Sequence, residues 1–185
     1  MKEAINSALI VPTVSSERRE YIPVSFIDTK SVIIAPNQAI YDAENFIMGI
    51  ISSKMHMAWV KSIGGKLKTD YRYSSSLCYN TFPFPKISES QKEELTQCVF
   101  RILEERENHS EKTLAQLYDP IKMPEGLREA HRLNDLAVER CYRSKPFESD
   151  EERLEYLFGL YEKMIAKEKD TLLVKEKKAK KEKIK

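Results

Sequence analysis

Between Tyr21 and Ile34 the apolar positions fall into two short β-rich runs, Tyr21-Ile22-Pro23-Val24-Ser25-Phe26-Ile27 and Ser31-Val32-Ile33-Ile34, separated by the turn residues Asp28-Thr29-Lys30. Two strands with a tight connection are predicted, and Pro23 confines the first to an edge or to a start beyond it. Pro36-Asn37 ends the second run. After Asp42 the period lengthens, and Phe46, Ile47, Ile50 and Ile51 form one stripe of a helix that should stop at Ser52-Ser53. From Met55 onward, His56, Ala58 and Val60 alternate with Met57, Trp59 and Lys61, which predicts a strand broken by a tight turn at Gly64-Gly65. Lys66–Tyr73 and Ser74–Asn80 complete a polar, aromatic unit, and the extended Phe82-Pro83-Phe84-Pro85 closes it. Met1–Arg19 shows no sustained period and reads as a frayed start or the remnant of a preceding domain.

Beyond the prolines the pattern is helical. Leu95, Val99, Ile102 and Leu103 share a face, with Ser88 as N-cap and Gln91 in the capping-box position, and this helix is expected to reach Leu117. Asp119-Pro120 and Met123-Pro124 bracket a connection. A second helix from about Glu125 buries Leu127, Ala130, Asn134, Ala137, Val138 and Cys141, with Asn134 the polar exception. Ser149 or Asp150 caps a third, whose stripe is Leu154, Leu157, Phe158, Tyr161 and Ile165. The expected class is α+β: a partial mixed α/β unit over residues 1–86, a small three-helix domain over 87–166, and a basic, disordered tail over 167–185.

Charge sharpens this division. Lys and Arg outnumber Asp and Glu by ten to seven in 1–86, are outnumbered twelve to eighteen in 87–166, and lead nine to four in 167–185. A nucleic acid would therefore prefer the first block, because phosphate is repelled by an acidic helical face. The apolar stretch Ala8–Val11 is far too short to span a membrane, and no targeting segment is evident, so a cytoplasmic protein without membrane contact is expected. Cys78, Cys98 and Cys141 are widely spaced, and His56, His109 and His131 have no close Cys or His partner, so neither disulfides nor a zinc site are expected.

Three stretches resemble the C-terminal end of the MmeI-like family, proteins that fuse an adenine-N6 methyltransferase, a target-recognition domain and often a nuclease. The first runs from Tyr21–Phe26 through Met55-His56-Met57-Ala58-Trp59-Val60. The second runs from Gly65-Lys66-Leu67-Lys68-Thr69-Asp70-Tyr71-Arg72-Tyr73-Ser74 into Tyr79-Asn80-Thr81-Phe82-Pro83-Phe84-Pro85, and is the most specific. The third comprises Leu117-Tyr118-Asp119-Pro120, Met123-Pro124, Leu127-Arg128, Ala130-His131, Leu133 and the segment Phe147–Leu157. The resemblance implies a chain that begins inside the recognition domain, binds double-stranded DNA, and acts with an upstream methyltransferase domain in cis or in trans. It implies S-adenosylmethionine for the parent protein and no cofactor for this chain. Neither a glycine-rich cofactor turn nor an Asn/Asp/Ser-Pro-Pro-aromatic loop is present, since Asn80-Thr81-Phe82-Pro83 lacks the adjacent proline pair.

By the same resemblance, Lys68 and Asp70 match charged positions that read one base pair. The chemistry suits that role, because an ammonium donates to guanine O6 and N7 while a carboxylate accepts from cytosine N4. On spacing alone, a surface salt bridge between the two competes with this reading. Lys61, Lys66, Arg72 and Ser74 are the candidate phosphate contacts, with simple solubility as the alternative. Trp59 is expected in the core, and His56 as a structural hydrogen-bond partner. Asp119 is expected to cap a turn, and Arg128 and His131 to face either nucleic acid or the neighbouring acidic helix. Three functions stay open: a duplex-reading module, a methyltransferase inactive in isolation, and a structural or protein-interaction domain.

Overall fold

The computed structural model describes residues 7–182 except residue 29, with side chains as far as residue 171. Residues 1–6 of the expected irregular start, Thr29 of the expected turn, and the Leu172-Leu173-Val174 side chains lie outside the described residues. Along the chain run β1 (Ser7–Pro12), β2 (Val14–Ser15), β3 (Ser25–Asp28) and β4 (Asn37–Tyr41), then α1 (Asn45–Ile51) and α2 (Lys54–Ile63). There follow β5 (Gly65–Leu67), β6 (Asp70–Arg72), a π-helical turn (Ser75–Tyr79), α3 (Glu89–Glu107), α4 (Leu114–Leu117), α5 (Glu125–Arg140) and α6 (Asp150–Glu182). The mixed sheet-and-helix unit followed by helices agrees with the α+β expectation.

The strands form two antiparallel three-stranded sheets, ordered β3-β1-β4 and β2-β6-β5. In the first, Leu9 stands opposite both Phe26 and Ile40. Sequence pattern missed β1 because Ala8, Leu9 and Val11 are all buried, and a strand covered on both faces reads as a plain apolar run instead of an alternation. The expected strand over Ser31–Ile34 is not formed. Two of its three β-branched side chains stay in solvent: Val32 is 84% and Ile34 70% exposed. The Asp28 carboxylate draws the segment into a turn, accepting from the Lys30 and Ser31 N–H groups at 3.0 and 2.8 Å and from the Ser31 hydroxyl at 2.8 Å.

The second correction concerns Met55–Lys61, which lies in a helix and not in a strand. Met55, His56, Met57, Ala58, Trp59 and Val60 are all buried, so their apparent alternation carries no information about which face is inside. The decisive local signal is Ser53, whose hydroxyl accepts from the His56 N–H at 3.3 Å and caps the helix. By contrast, the Ser88–Gln91 capping box opens α3 as expected. That helix ends at Glu107, well before Leu117, and a second capping box at Thr113 and Gln116 starts the separate turn α4. Helical backbone continues past Lys167 to Glu182.

Both hydrophobic clusters draw on both halves of the chain. One joins Leu9, Val11 and Met48 to Val99, Ile102 and Leu127, and the other joins Trp59 and Phe82 to Leu95, Phe147 and Leu157. Asn134, the polar exception on α5, is buried and donates to Gly49 O at 2.8 Å, which brings α5 close to α1. A Cβ at Gly49 would lie 2.9 Å from Asn134 Oδ1 and 3.3 Å from Val99 Cγ2. Gly49→Ala should therefore destabilise the fold by about 1 kcal/mol in urea unfolding, because overpacking outweighs the gain in helix propensity. An unchanged or higher midpoint would contradict this account of the contact.

Candidate nucleic-acid interface

The residues after α2 form a β-hairpin whose geometry follows from its glycines and its turn. At Gly64 the helix ends with its N–H on Val60 O at 2.9 Å, and a Cβ there would stand only 2.4 Å from that same oxygen. Only glycine lets the chain leave α2 this tightly. β5 and β6 pair through Gly65↔Arg72, Lys66↔Tyr71 and Leu67↔Asp70, leaving Lys68-Thr69 as a two-residue turn. Lys68 adopts φ 58°, a left-handed conformation that two-residue hairpin turns usually assign to Gly or Asn. For a lysine this costs on the order of 1 kcal/mol.

The base of this ribbon is anchored while its tip is exposed. Tyr71 packs against the first hydrophobic cluster, so Asp70 and Arg72, its neighbours on the strand, occupy the opposite face. Tyr73, just beyond β6, is buried; its N–H donates to Thr13 O at 2.7 Å, and its hydroxyl meets His56 Nε2 at 3.1 Å. Burial holds His56 down to about 3, so its ring is neutral and structural. Trp59 is likewise core, with its indole N–H on Thr81 Oγ1 at 3.2 Å. The expected roles of His56 and Trp59 thus hold.

At the tip, Lys66, Leu67, Lys68 and Thr69 are exposed and Asp70 is half-buried. Among the described residues Lys68 and Asp70 form no ion pair with each other, which removes the salt bridge that spacing alone suggested. Asp70 Oδ1 accepts from the Glu17 N–H at 3.4 Å. Lys66 lies over the Tyr71 ring at 6.0 Å, and Arg72 is exposed. Ser74 Oγ is 2.8 Å from Ser76 Oγ within the π-helical turn. Lys61 is not brought into this set: its ammonium pairs with Asp150 of α6 at 3.0 Å, holding α2 to the C-terminal helix.

Elsewhere the polar interior is built for cohesion. Arg128 pairs with Glu20 and donates to Pro120 O at 3.1 Å. His131 is enclosed, 2.7 Å from the Tyr118 hydroxyl and stacked on Tyr21 at 4.2 Å between ring centroids. Asp119 caps its turn through the Ile121 and Lys122 N–H groups, as expected. Burial pushes the thiols of Cys78, Cys98 and Cys141 up, the last to about 11 with help from Glu94, which leaves none activated as a nucleophile. Among the described residues no group of three or more His, Cys, Asp or Glu is placed to hold a metal ion, and no helix is long and apolar enough to cross a membrane.

An exposed, firmly rooted ribbon on a mixed sheet unit, tied through shared cores to a helical bundle, is the build of a target-recognition domain with its helical C-terminal domain. Residues 1–86 match the family model described as MmeI, target recognition domain, and residues 87–168 that described as MmeI, C-terminal domain. The chain belongs to the MmeI family. It is 50% identical over 162 residues to DNA methyltransferase A of Bacillus subtilis (strain 168), covering 88% of this chain and 18% of that protein. A solved structure of the Type IIL restriction-modification enzyme MmeI in complex with DNA superposes with a TM-score of 0.85 at 38% identity, covering 90% of this chain and 22% of that one. The chain thus spans about a fifth of the length of either relative.

Proposed function

We propose that this chain reads duplex DNA for a larger site-specific adenine-N6 methyltransferase or restriction-modification protein, with the β5–β6 hairpin entering the major groove. The observation that carries this reading is the pair at the hairpin tip: an amine and a carboxylate, exposed or half-exposed, not bonded to each other, on a ribbon whose base is buried. A lysine retained at φ 58°, where glycine would fold more easily, supports a role for its ammonium. Lys68 donates to guanine O6 and N7, and the second oxygen of Asp70 accepts from cytosine N4 of the same pair. Lys66, Arg72 and Ser74 contact the flanking phosphates, whereas Lys61, committed to Asp150, does not.

Methyl transfer from S-adenosylmethionine belongs in this reading to an upstream domain in cis or in trans, because the glycine-rich turn and the amine-binding loop that it needs are not among these residues. Selection from a pool of randomised duplexes tests the proposal. The wild-type chain should enrich a G·C pair at one position, and Lys68→Glu with Asp70→Arg should turn it to C·G, each contact discriminating by roughly 1–3 kcal/mol. An enriched motif that is identical in both proteins would remove the two residues from the reading. No affinity even at low salt would favour a structural or protein-interaction domain instead.

A further inference from the structure

The turn that follows β2 lies beside the hairpin, on the side away from β5. β2 pairs with β6 through Val14↔Arg72 and Ser15↔Tyr71, so the next residues run level with Asp70. They are held there in two ways. Glu17 N–H donates to Asp70 Oδ1 at 3.4 Å, and Arg19 N–H closes the four-residue turn on Ser16 O at 3.1 Å. The Arg18 N–H also lies 3.4 Å from Ser16 Oγ. Arg18 therefore has a fixed backbone while its side chain is exposed and, among the described residues, makes no ion pair. Arg128, by contrast, is bound to Glu20 just beyond the same turn.

We infer that Arg18 is a phosphate-binding residue of the DNA interface, with the Asp70 carboxylate helping to position its turn; this rests on reading the hairpin as the duplex-reading element. The geometry decides phosphate over base. Neighbouring strands lie about 4.8 Å apart and the major groove is about 12 Å wide, so a hairpin centred in the groove carries the extension of β2 to its rim, where the backbone runs. A guanidinium at that rim matches a phosphate bidentately. Asp70 then contributes twice, one oxygen anchoring the turn and the other left for a base edge.

The test compares wild-type chain, Arg18→Ala, Arg18→Lys and, as a control on the exposed face of α3, Arg101→Ala, each bound to an enriched duplex and to an unrelated one across a salt series. Loss of one phosphate contact lowers the slope of log affinity on log salt by about 0.9, so between about 50 and 200 mM salt Arg18→Ala should lose roughly 3.5-fold less affinity than wild type. The reduction should be equal on both duplexes, the preference between them should be kept, and Arg18→Lys should retain most of the slope. Arg101→Ala should match wild type. A wild-type slope in Arg18→Ala, with the preference intact, overturns the role of Arg18 and leaves the hairpin reading standing. A changed preference at unchanged slope makes Arg18 a base contact and overturns the phosphate assignment. A wild-type chain that shows no preference at all overturns the hairpin reading, and this inference with it.

Discussion

Acidification from about pH 6 to about pH 4 should lower the stability of the folded chain, two buried histidines outweighing one buried aspartate. His56 and His131 are both fully enclosed. Burial holds His56 down to about 3. Burial, reinforced by the Arg106 guanidinium and opposed by the Ser52 backbone, holds His131 well below its ordinary value. In the unfolded chain both rings take up a proton near pH 6.5. Since the folded values lie below the unfolded ones, their contribution is intact above about pH 6.5 and is lost as the pH falls.

Asp135 works in the opposite direction. Burial raises its carboxyl to about 6, against the Lys54 N–H at 2.8 Å and the Tyr21 hydroxyl at 2.7 Å, both of which favour the charged form. The folded state takes up that proton from about pH 6 downward and the unfolded chain only near 3.9, so this group offsets about one histidine within the window. Asp135→Asn keeps an oxygen for the Lys54 N–H and removes the offset, so the loss of stability with falling pH should become steeper. Urea unfolding at half-unit pH steps measures both slopes. Wild-type stability that is level or rising toward pH 4 would mean that the rings are protonated in the folded protein, contrary to their enclosure.

These buried groups also mark the limit of what the sequence discloses. Local chemistry was legible: the Ser88–Gln91 capping box, the stripe of α1, and Asn134 as a polar residue on a buried face are all adjacent or periodic signals. Pairings across the chain were not. Tyr21 meets Asp135 and Arg128 meets Glu20 over more than a hundred residues, and no periodicity announces such a contact. Where adjacent residues are buried on both faces, as Ala8 and Leu9 in β1 and Met55–Val60 in α2, the contrast between apolar and polar faces disappears, and with it the pattern that distinguishes helix from strand. At the candidate site, Gly64-Gly65 marked the exit from α2, but the tight turn expected there lies at Lys68-Thr69, and the interest of Lys68 and Asp70 came from family resemblance and chemistry. Lys61 was grouped with them by charge alone, and its partner Asp150 lies 89 residues away, where no local pattern announces it. Arg18 lay in a stretch without period, and only the pairing of β2 with β6 brings it beside the hairpin.

Glu139→Ala should be among the most damaging single changes, costing about 3 kcal/mol, because it strips a largely buried guanidinium of its two-pronged carboxylate partner and leaves it only Asp150 as counter-charge, at 3.2 Å. The Glu139 and Arg153 side chains are only 4% and 11% exposed. Glu139 Oε1 accepts from Arg153 Nε and Nη2 at 2.9 and 2.6 Å, and its other oxygen accepts from the Phe147 N–H at 3.1 Å. One carboxylate thus joins the end of α5, the connection after it and the first turn of α6. The consequence reaches the recognition unit, since α6 supports α2 through Phe158 and Tyr161, whose rings lie 5.1 and 5.5 Å from that of Trp59. Glu139→Gln, which keeps an acceptor and loses the charge, should cost roughly half as much. Replacing both partners, Glu139→Met with Arg153→Leu, should recover much of the loss, because the apolar pair has no charge to desolvate, while the Phe147 N–H and C=O and the Asp150 carboxylate each lose one partner. Denaturant unfolding of the two singles and the double closes the cycle. A double variant as unstable as the sum of its singles would show that the two side chains contribute separately and that the ion pair does not fasten α6 to α5.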